Sequence, residues 1–228
     1  MSKPPARRSS SQEIAQFLQE SRTITQFVNN QPRLLFAVDA TASRQPTWDR
    51  ARQLQQQMFQ VSGKVATLAV QLCYFRGFGE FRASPWLTDG TELARLMGRV
   101  QCEGGRTQIE RLLNHAVSEH RKAAMRALVF IGDAIEESPD ILCDLAGQCG
   151  ILKLPLFFFQ EGSDPQVEKT LRTMAKLSGG AYARFDGNSA DLLAGLLTAV
   201  ASFATGGRTA LEAHGSDSAK LLLRQLKP

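Results

Sequence analysis

The chain has 228 residues, 43% of them hydrophobic, enough for one good-sized domain, and no apolar run approaches the roughly 18 residues that a membrane span needs. Its formal charge of +5 is a poor footprint for nucleic acid, because the excess sits in tails (Lys3, Arg7 and Arg8; Arg208, Lys220, Arg224 and Lys227) around a body in which acids and bases balance. Cys73, Cys102, Cys143 and Cys149 form no C-x-x-C pair and read as reduced, mostly buried thiols, and the basic start lacks an apolar signal segment, so a cytoplasmic protein is expected.

Residues 1–9 read as a disordered tail, with nothing apolar to bury. Ser10-Ser11-Gln12-Glu13 fits a capping box, S-x-x-E, and Ile14, Phe17, Leu18, Ile24, Phe27 and Val28 keep helical spacing through Asn30. Residues 1–30 are therefore a tail and a leading amphipathic helix. Strands and helices then alternate. Strands are expected at Arg33–Val38, Leu68–Phe75, Phe81–Trp86 (after a tight Gly77-Phe78-Gly79-Glu80 turn), Ala127–Ile131, Pro155–Phe159 and Ala181–Phe185. Helices are expected at Pro46–Gln60, Thr91–Val100, Thr107–Arg121, Pro139–Gln148, Pro165–Leu177 and Ser189–Ala204. Gly206-Gly207 ends the last of these. Residues 207–228 form a polar linker and a short basic helix around Ala219–Leu226. This alternation specifies an α/β fold: a doubly wound, mostly parallel sheet with one antiparallel edge strand and helices on both faces.

In such a sheet, ligands bind beyond the carboxyl ends of the strands, at the switch point in strand order. Three segments are expected to meet there: Asp39-Ala40-Thr41-Ala42-Ser43 after the first strand, Gly104-Gly105-Arg106-Thr107 where a glycine turn opens a helix, and Gly132-Asp133 after "ALVFI". They offer two carboxylates and three hydroxyls, with no histidine or thiol. All-oxygen donors of modest negative charge suit a hard divalent cation such as Mg²⁺, which keeps several waters. For Asp39 alone, a turn-capping role is the simpler reading. The five positions in order make the metal reading the stronger one.

The pattern Asp39-x-Thr41-x-Ser43, then Thr107 in a glycine-rich loop, then Asp133 after a hydrophobic strand, resembles the metal-ion-dependent adhesion site of von Willebrand factor A (VWA) domains. The resemblance spans about residues 33–205, and the domain is bounded at 31–206. It implies a non-catalytic protein-binding module, and with the absent signal segment the reading is of a cytoplasmic, bacterial protein. In it Thr41 and Ser43 ligate Mg²⁺ (or Mn²⁺) directly, Thr107 is the movable ligand, and Asp39 and Asp133 anchor the site. A protein partner would complete the shell with an Asp or Glu. Two positions depart from the family pattern: Thr41 stands where serine is commoner, and Gly132-Asp133-Ala134 replaces Thr-Asp-Gly. A partner surface is expected beside the site, at Phe78 on its two-glycine turn and at Arg106. Whether the Phe78 ring projects or folds back is open.

The alternative is an enzyme resembling haloacid-dehalogenase-type aspartyl phosphotransferases, with Asp39 as nucleophile and Asp133 and Glu137 holding magnesium. Thr41 where a second acid is usual, and a helix starting at once at Pro46, count against it. Other signals are weaker. "RGFGEF" (Arg76–Phe81) begins like an RNA-binding octamer, but Glu80 replaces the stacking aromatic. His115, His120 and His214 read as ordinary surface residues, and Glu136-Glu137 as a solvated loop.

Overall fold

The computed structural model describes residues 31–42, 68–186 and 190–226. The expected leading helix with its capping box, and the helix at Pro46–Gln60, lie outside them. Pro32 onward forms one compact unit.

Six strands among the described residues form one sheet: β1 (Arg33–Asp39), β2 (Ala69–Arg76), β3 (Glu80–Ala83), β4 (Met125–Gly132), β5 (Leu156–Glu161) and β6 (Ala181–Phe185). The spatial order is β3-β2-β1-β4-β5-β6. All neighbours are parallel except β2 and β3, which pair antiparallel around the Gly77–Gly79 turn. The expected α/β class, with one antiparallel edge strand, is the observed one. The central strands are covered on both faces, which is why β1 reads RLLFAVD and β5 reads LFFFQE with every residue buried.

The helices among the described residues are α1 (Gly90–Met97), α2 (Ile109–Lys122), α3 (Pro139–Ile151), α4 (Pro165–Ser178), α5 (Ala190–His214) and α6 (Asp217–Leu223). Alternating strand residues divide the core in two. Phe36, Val38, Leu72, Val129, Ile131 and Phe159 face α1, α5 and α6 through Leu93, Met97, Leu196, Val200 and Leu222. Leu35, Ala37, Phe75, Leu128, Phe130 and Phe158 face α2, α3 and α4 through Leu112, Leu113, Leu142, Leu171 and Met174. Among the described residues, no helix is long and apolar enough to cross a membrane. All four cysteines are free, Cys73 and Cys149 buried and the other two half-buried. Burial pushes the Cys149 thiol up to about 11 and Cys73 higher still.

Several boundaries differ from the sequence reading, each for a local reason. The strand expected over Phe81–Trp86 stops at Ala83, because Pro85 has no N–H to give the ladder. Pairing resumes only at Leu87, which exchanges two hydrogen bonds with Val70 (2.7 and 2.9 Å). The helix expected from Thr107 starts at Ile109, since Thr107 is held by other groups described below. The helix through Ala204 does break at Gly206 and Gly207, whose φ values are −137° and 67°. It then resumes to His214, with Leu211 fully buried and Arg208 Nη1 donating to Leu226 O at 3.0 Å. Ser216, expected in a linker, caps α6 by accepting from Ala219 N.

The outer edge of β6 is closed by a side chain. Tyr182 N donates to Gln225 Oε1 (3.0 Å), and Gln225 Nε2 donates to Tyr182 O (2.9 Å). A primary amide thus stands where a neighbouring strand's peptide would.

Candidate metal centre at the switch point

The strand order reverses between β1 and β4, so the loops that leave their carboxyl ends diverge and open a crevice. Asp39 ends β1 with its residue fully buried. Its Oδ1 accepts from Thr41 N at 2.8 Å, a local turn that fixes the loop's exit. Thr41 is also buried and forms an isolated parallel bridge with Glu103. Ala40 joins the same ladder, donating to Phe75 O and accepting from Glu103 N, both at 3.0 Å.

The second segment is packed against the first. Arg106 N donates to Gly77 O at 3.1 Å. A Cβ on Gly105 would lie 1.9 Å from that same oxygen, so the residue must be glycine for the loops to meet. Gly77 itself has φ 59°. The third segment closes on both. Val38 pairs with Ile131, so the register carries Asp39 alongside Gly132. A Cβ on Gly132 would lie 2.5 Å from the Phe130 ring and 3.3 Å from the Asp39 Cβ. Asp133 follows at once, and its Oδ1 is buried with no hydrogen-bond partner among the described residues.

Thr107 is buried and tied to the loop that bears Asp133. Its N–H donates to Glu136 Oε2 (2.8 Å). Its hydroxyl accepts from Glu136 N (2.9 Å) and donates to Glu137 Oε2. The other oxygen, Glu137 Oε1, accepts from Ile109 N and from Glu110 N (3.2 Å). This bonding supplies the cap that α2 lacks, because Gln108 at its N-cap makes no capping bond of its own. Gln108 instead donates to Arg76 O and Glu80 O on the β2–β3 hairpin.

The sequence-expected residues are thus placed as follows. Asp39 and Thr41 share one loop, Asp133 lies across the β1–β4 crevice from them, and Thr107 is linked to the Asp133 loop through Glu136 and Glu137. Ser43 lies outside the described residues. Phe78 stands at the hairpin tip, 86% exposed, so its ring projects. Arg106 is exposed beside the turn and makes no ion pair among the described residues. Among those residues no cluster of three His, Cys, Asp or Glu is found. The donor set here is two carboxylates plus hydroxyls, a hard-oxygen set. A buried carboxylate oxygen without a hydrogen-bond partner is costly, and a cation at this point would relieve it, so the residues present fit a divalent ion.

Two readings from sequence are corrected. Glu136-Glu137 is not merely a solvated loop; both side chains hold the Thr107 segment. No signal in the sequence marked this role: Thr107-Gln108-Ile109-Glu110 itself fits a capping box, S/T-x-x-E, yet the Thr107 hydroxyl bonds to Glu136 and Glu137 instead. With both oxygens of Glu137 engaged by α2 and Thr107, it is not placed as the magnesium ligand that a phosphotransferase site would require. His115 is not an ordinary surface residue either. It is half-buried, its Nε2 lies 2.9 Å from Gln71 Oε1, and its ring tilts against Phe81 with centroids 5.3 Å apart. Burial holds its pKa below the ordinary histidine value. Next to it, burial works against the Glu119 charge, but hydrogen bonds from Lys122 and Trp86 outweigh it and keep the carboxyl below the usual range. This network fastens the β2–β3 edge to α2. His120 is also engaged, its Nδ1 accepting from Met125 N at 3.1 Å. His214 has a buried Nδ1.

Comparison with known proteins places the fold. No protein-family profile matches the sequence, and no curated protein matches it. Solved structures do match. The VWA domain of SpRpn10 is 8% identical with a TM-score of 0.54, over 72% of this chain and 95% of that one. An aerotolerance-related membrane protein from Bacteroides fragilis is 18% identical with a TM-score of 0.55, over 70% of this chain and 94% of that one. Proximal thread matrix protein 1 from the mussel byssus, with zinc in its metal-ion-dependent adhesion site, is 12% identical with a TM-score of 0.57. The match there covers 73% of this chain and 44% of that one. At these identities the likeness is one of fold: the chain has the fold of a VWA domain.

Proposed function

We propose that this VWA-fold domain is a divalent-metal-dependent protein-binding module without catalytic activity. Asp39, Thr41, Ser43, Thr107 and Asp133 would hold Mg²⁺ or Mn²⁺, with water in the remaining positions. A protein partner would present an Asp or Glu carboxylate to the open coordination position. The ion supplies a fixed positive charge that a partner's carboxylate can neutralise. The chain supplies the oxygen donors, the rigid strand ends that space them, and the rim that chooses the partner. The single observation that carries this reading is the buried Asp133 Oδ1, which has no hydrogen-bond partner among the described residues, across the crevice from fully buried Asp39. The zinc-occupied adhesion site of the mussel protein lends support from the same fold. A reducing, cytoplasmic setting suits four free thiols.

On this reading the rim has a definite chemistry. Phe78 offers an exposed aromatic anchor, and Arg106 offers a cation to the flank of an acidic residue. A partner segment with a carboxylate next to an apolar side chain would satisfy all three. Calorimetry with Mg²⁺ tests the core of the proposal: one site in the wild type and none in Asp39→Ala. Equal binding by the two would refute it. An ion at about 100 times its Kd should also stabilise the fold by about 2.7 kcal/mol, and that stabilisation should vanish in Asp39→Ala.

A further inference from the structure

We propose that Glu137 acts as a positioning residue for the candidate metal centre, setting the direction of the Thr107 hydroxyl proton so that one lone pair of Oγ1 is left for the cation. The inference rests on the metal-binding reading above and deepens it. A threonine hydroxyl has one proton to donate and two lone pairs. Here the proton goes to Glu137 Oε2, and one lone pair takes the Glu136 N–H at 2.9 Å. Among the described residues nothing takes the second lone pair, and its oxygen carries extra electron density because its proton is given to a carboxylate. If the proton pointed instead into the crevice, it would face the cation and oppose ligation. Groups behind a ligand that fix its protonation direction typically govern metal affinity by about 10–100-fold.

The same carboxylate has a second, separable task. Glu137 Oε1 caps α2 through the N–H groups of Ile109 and Glu110. The division between its two oxygens makes the proposal testable, because glutamine mimics one and inverts the other. In Glu137→Gln, the amide oxygen can keep the cap. The amide nitrogen then faces Thr107 Oγ1, where it donates rather than accepts. The remaining lone pair is consumed, and the hydroxyl proton is turned toward the site.

The test uses the whole chain, Mn²⁺ alone as the probe, and calorimetry for affinity. Glu137→Gln should bind Mn²⁺ at least about tenfold more weakly than wild type. Its metal-free melting temperature, and the hydrogen-exchange protection of the Ile109 and Glu110 amides, should stay near wild type. Thr107→Val should show a comparable loss, and adding Glu137→Gln to it should cost nothing more, because the carboxylate acts through the hydroxyl. Glu137→Asp, which keeps a carboxylate acceptor, should recover affinity to within about threefold of wild type. That variant decides the matter if Glu137→Gln does not fold: affinity as weak as that of Thr107→Val overturns the proposal. Unchanged Mn²⁺ affinity in folded Glu137→Gln, or additive losses in the double variant, would also overturn it while leaving the metal reading intact. Absence of Asp39-dependent Mn²⁺ binding in the wild type removes both.

Discussion

Two adjacent glycines in the loop before α2 should answer the same substitution in opposite ways. A Cβ on Gly105 would sit 1.9 Å from Gly77 O and 2.1 Å from its carbonyl carbon, whereas a Cβ on Gly104 meets nothing within 4 Å among the described residues. Backbone cannot rotate aside as a flexible side chain can, so Gly105→Ala must part the Gly77 turn from the Gly104–Thr107 loop. The Arg106 N–H to Gly77 O bond (3.1 Å) is then broken or stretched, at a cost of about 1 kcal/mol. Forcing atoms into a filled space adds about 1–3 kcal/mol. The total of about 2–4 kcal/mol should lower the melting temperature by about 4–16 °C for a domain of this size. Gly104→Ala should stay within about 0.5 kcal/mol of wild type, as surface changes usually do. Thermal melts followed by circular dichroism, with urea titration as a check, measure both variants side by side. Equal effects, or a neutral Gly105→Ala, would refute the claim that this backbone contact holds the two loops together.

Phe78→Ala should leave the melting temperature within about 2 °C of wild type, since the ring is 86% exposed. A pulldown from the native cell, run with and without chelator, should nevertheless lose partner capture in that variant. Phe158→Ala should cost about 3–5 kcal/mol in urea denaturation, because its fully buried ring lies edge-on to Phe130 at 6.1 Å and nothing exposed can refill the void. His115 gives a pH dependence. Burial, with Lys122 nearby, lowers its pKa below 6.5 despite the opposing pull of Glu119. The unfolded chain therefore takes up the proton first as pH falls through 6.5. Stability contributed by the neutral ring is complete above that pH and lost below it. His115→Gln should flatten that part of the stability profile, and an unchanged acid limb would refute the assignment.

The strands were legible because central parallel strands are buried on both faces and leave unbroken apolar runs, as in Arg33–Asp39 and Leu156–Glu161. Asp39, Thr41 and Asp133 stood out as candidate donors because they follow β1 and β4, whose carboxyl ends flank the switch point of a doubly wound sheet. Pairwise contacts across long separations were not legible. Glu137 caps a helix 28 residues before it, and no local pattern marks an acid as another segment's cap. His115 reads as polar and exposed until Gln71, 44 residues earlier, is seen to lie against it. The direction of the Phe78 ring was equally undetermined, because two glycines permit a tight turn without choosing which way its tip faces. The helix beyond Gly207 was missed for the opposite reason. Paired glycines are a strong local stop signal, and here the burial of Leu211 outweighs it.

The Gln225 amide on the edge of β6 has a consequence in time as well as in space. A strand edge with unpaired N–H and C=O groups is a template for any other strand it meets, and Tyr182 would offer such an edge until its partner arrives. That partner lies 43 residues further along the chain. At about 5–20 residues per second of synthesis, the interval between making the edge and making its seal is about 2–9 s. For that interval the sheet is present without its lock, and the nascent chain is most open to pairing with a neighbour emerging beside it.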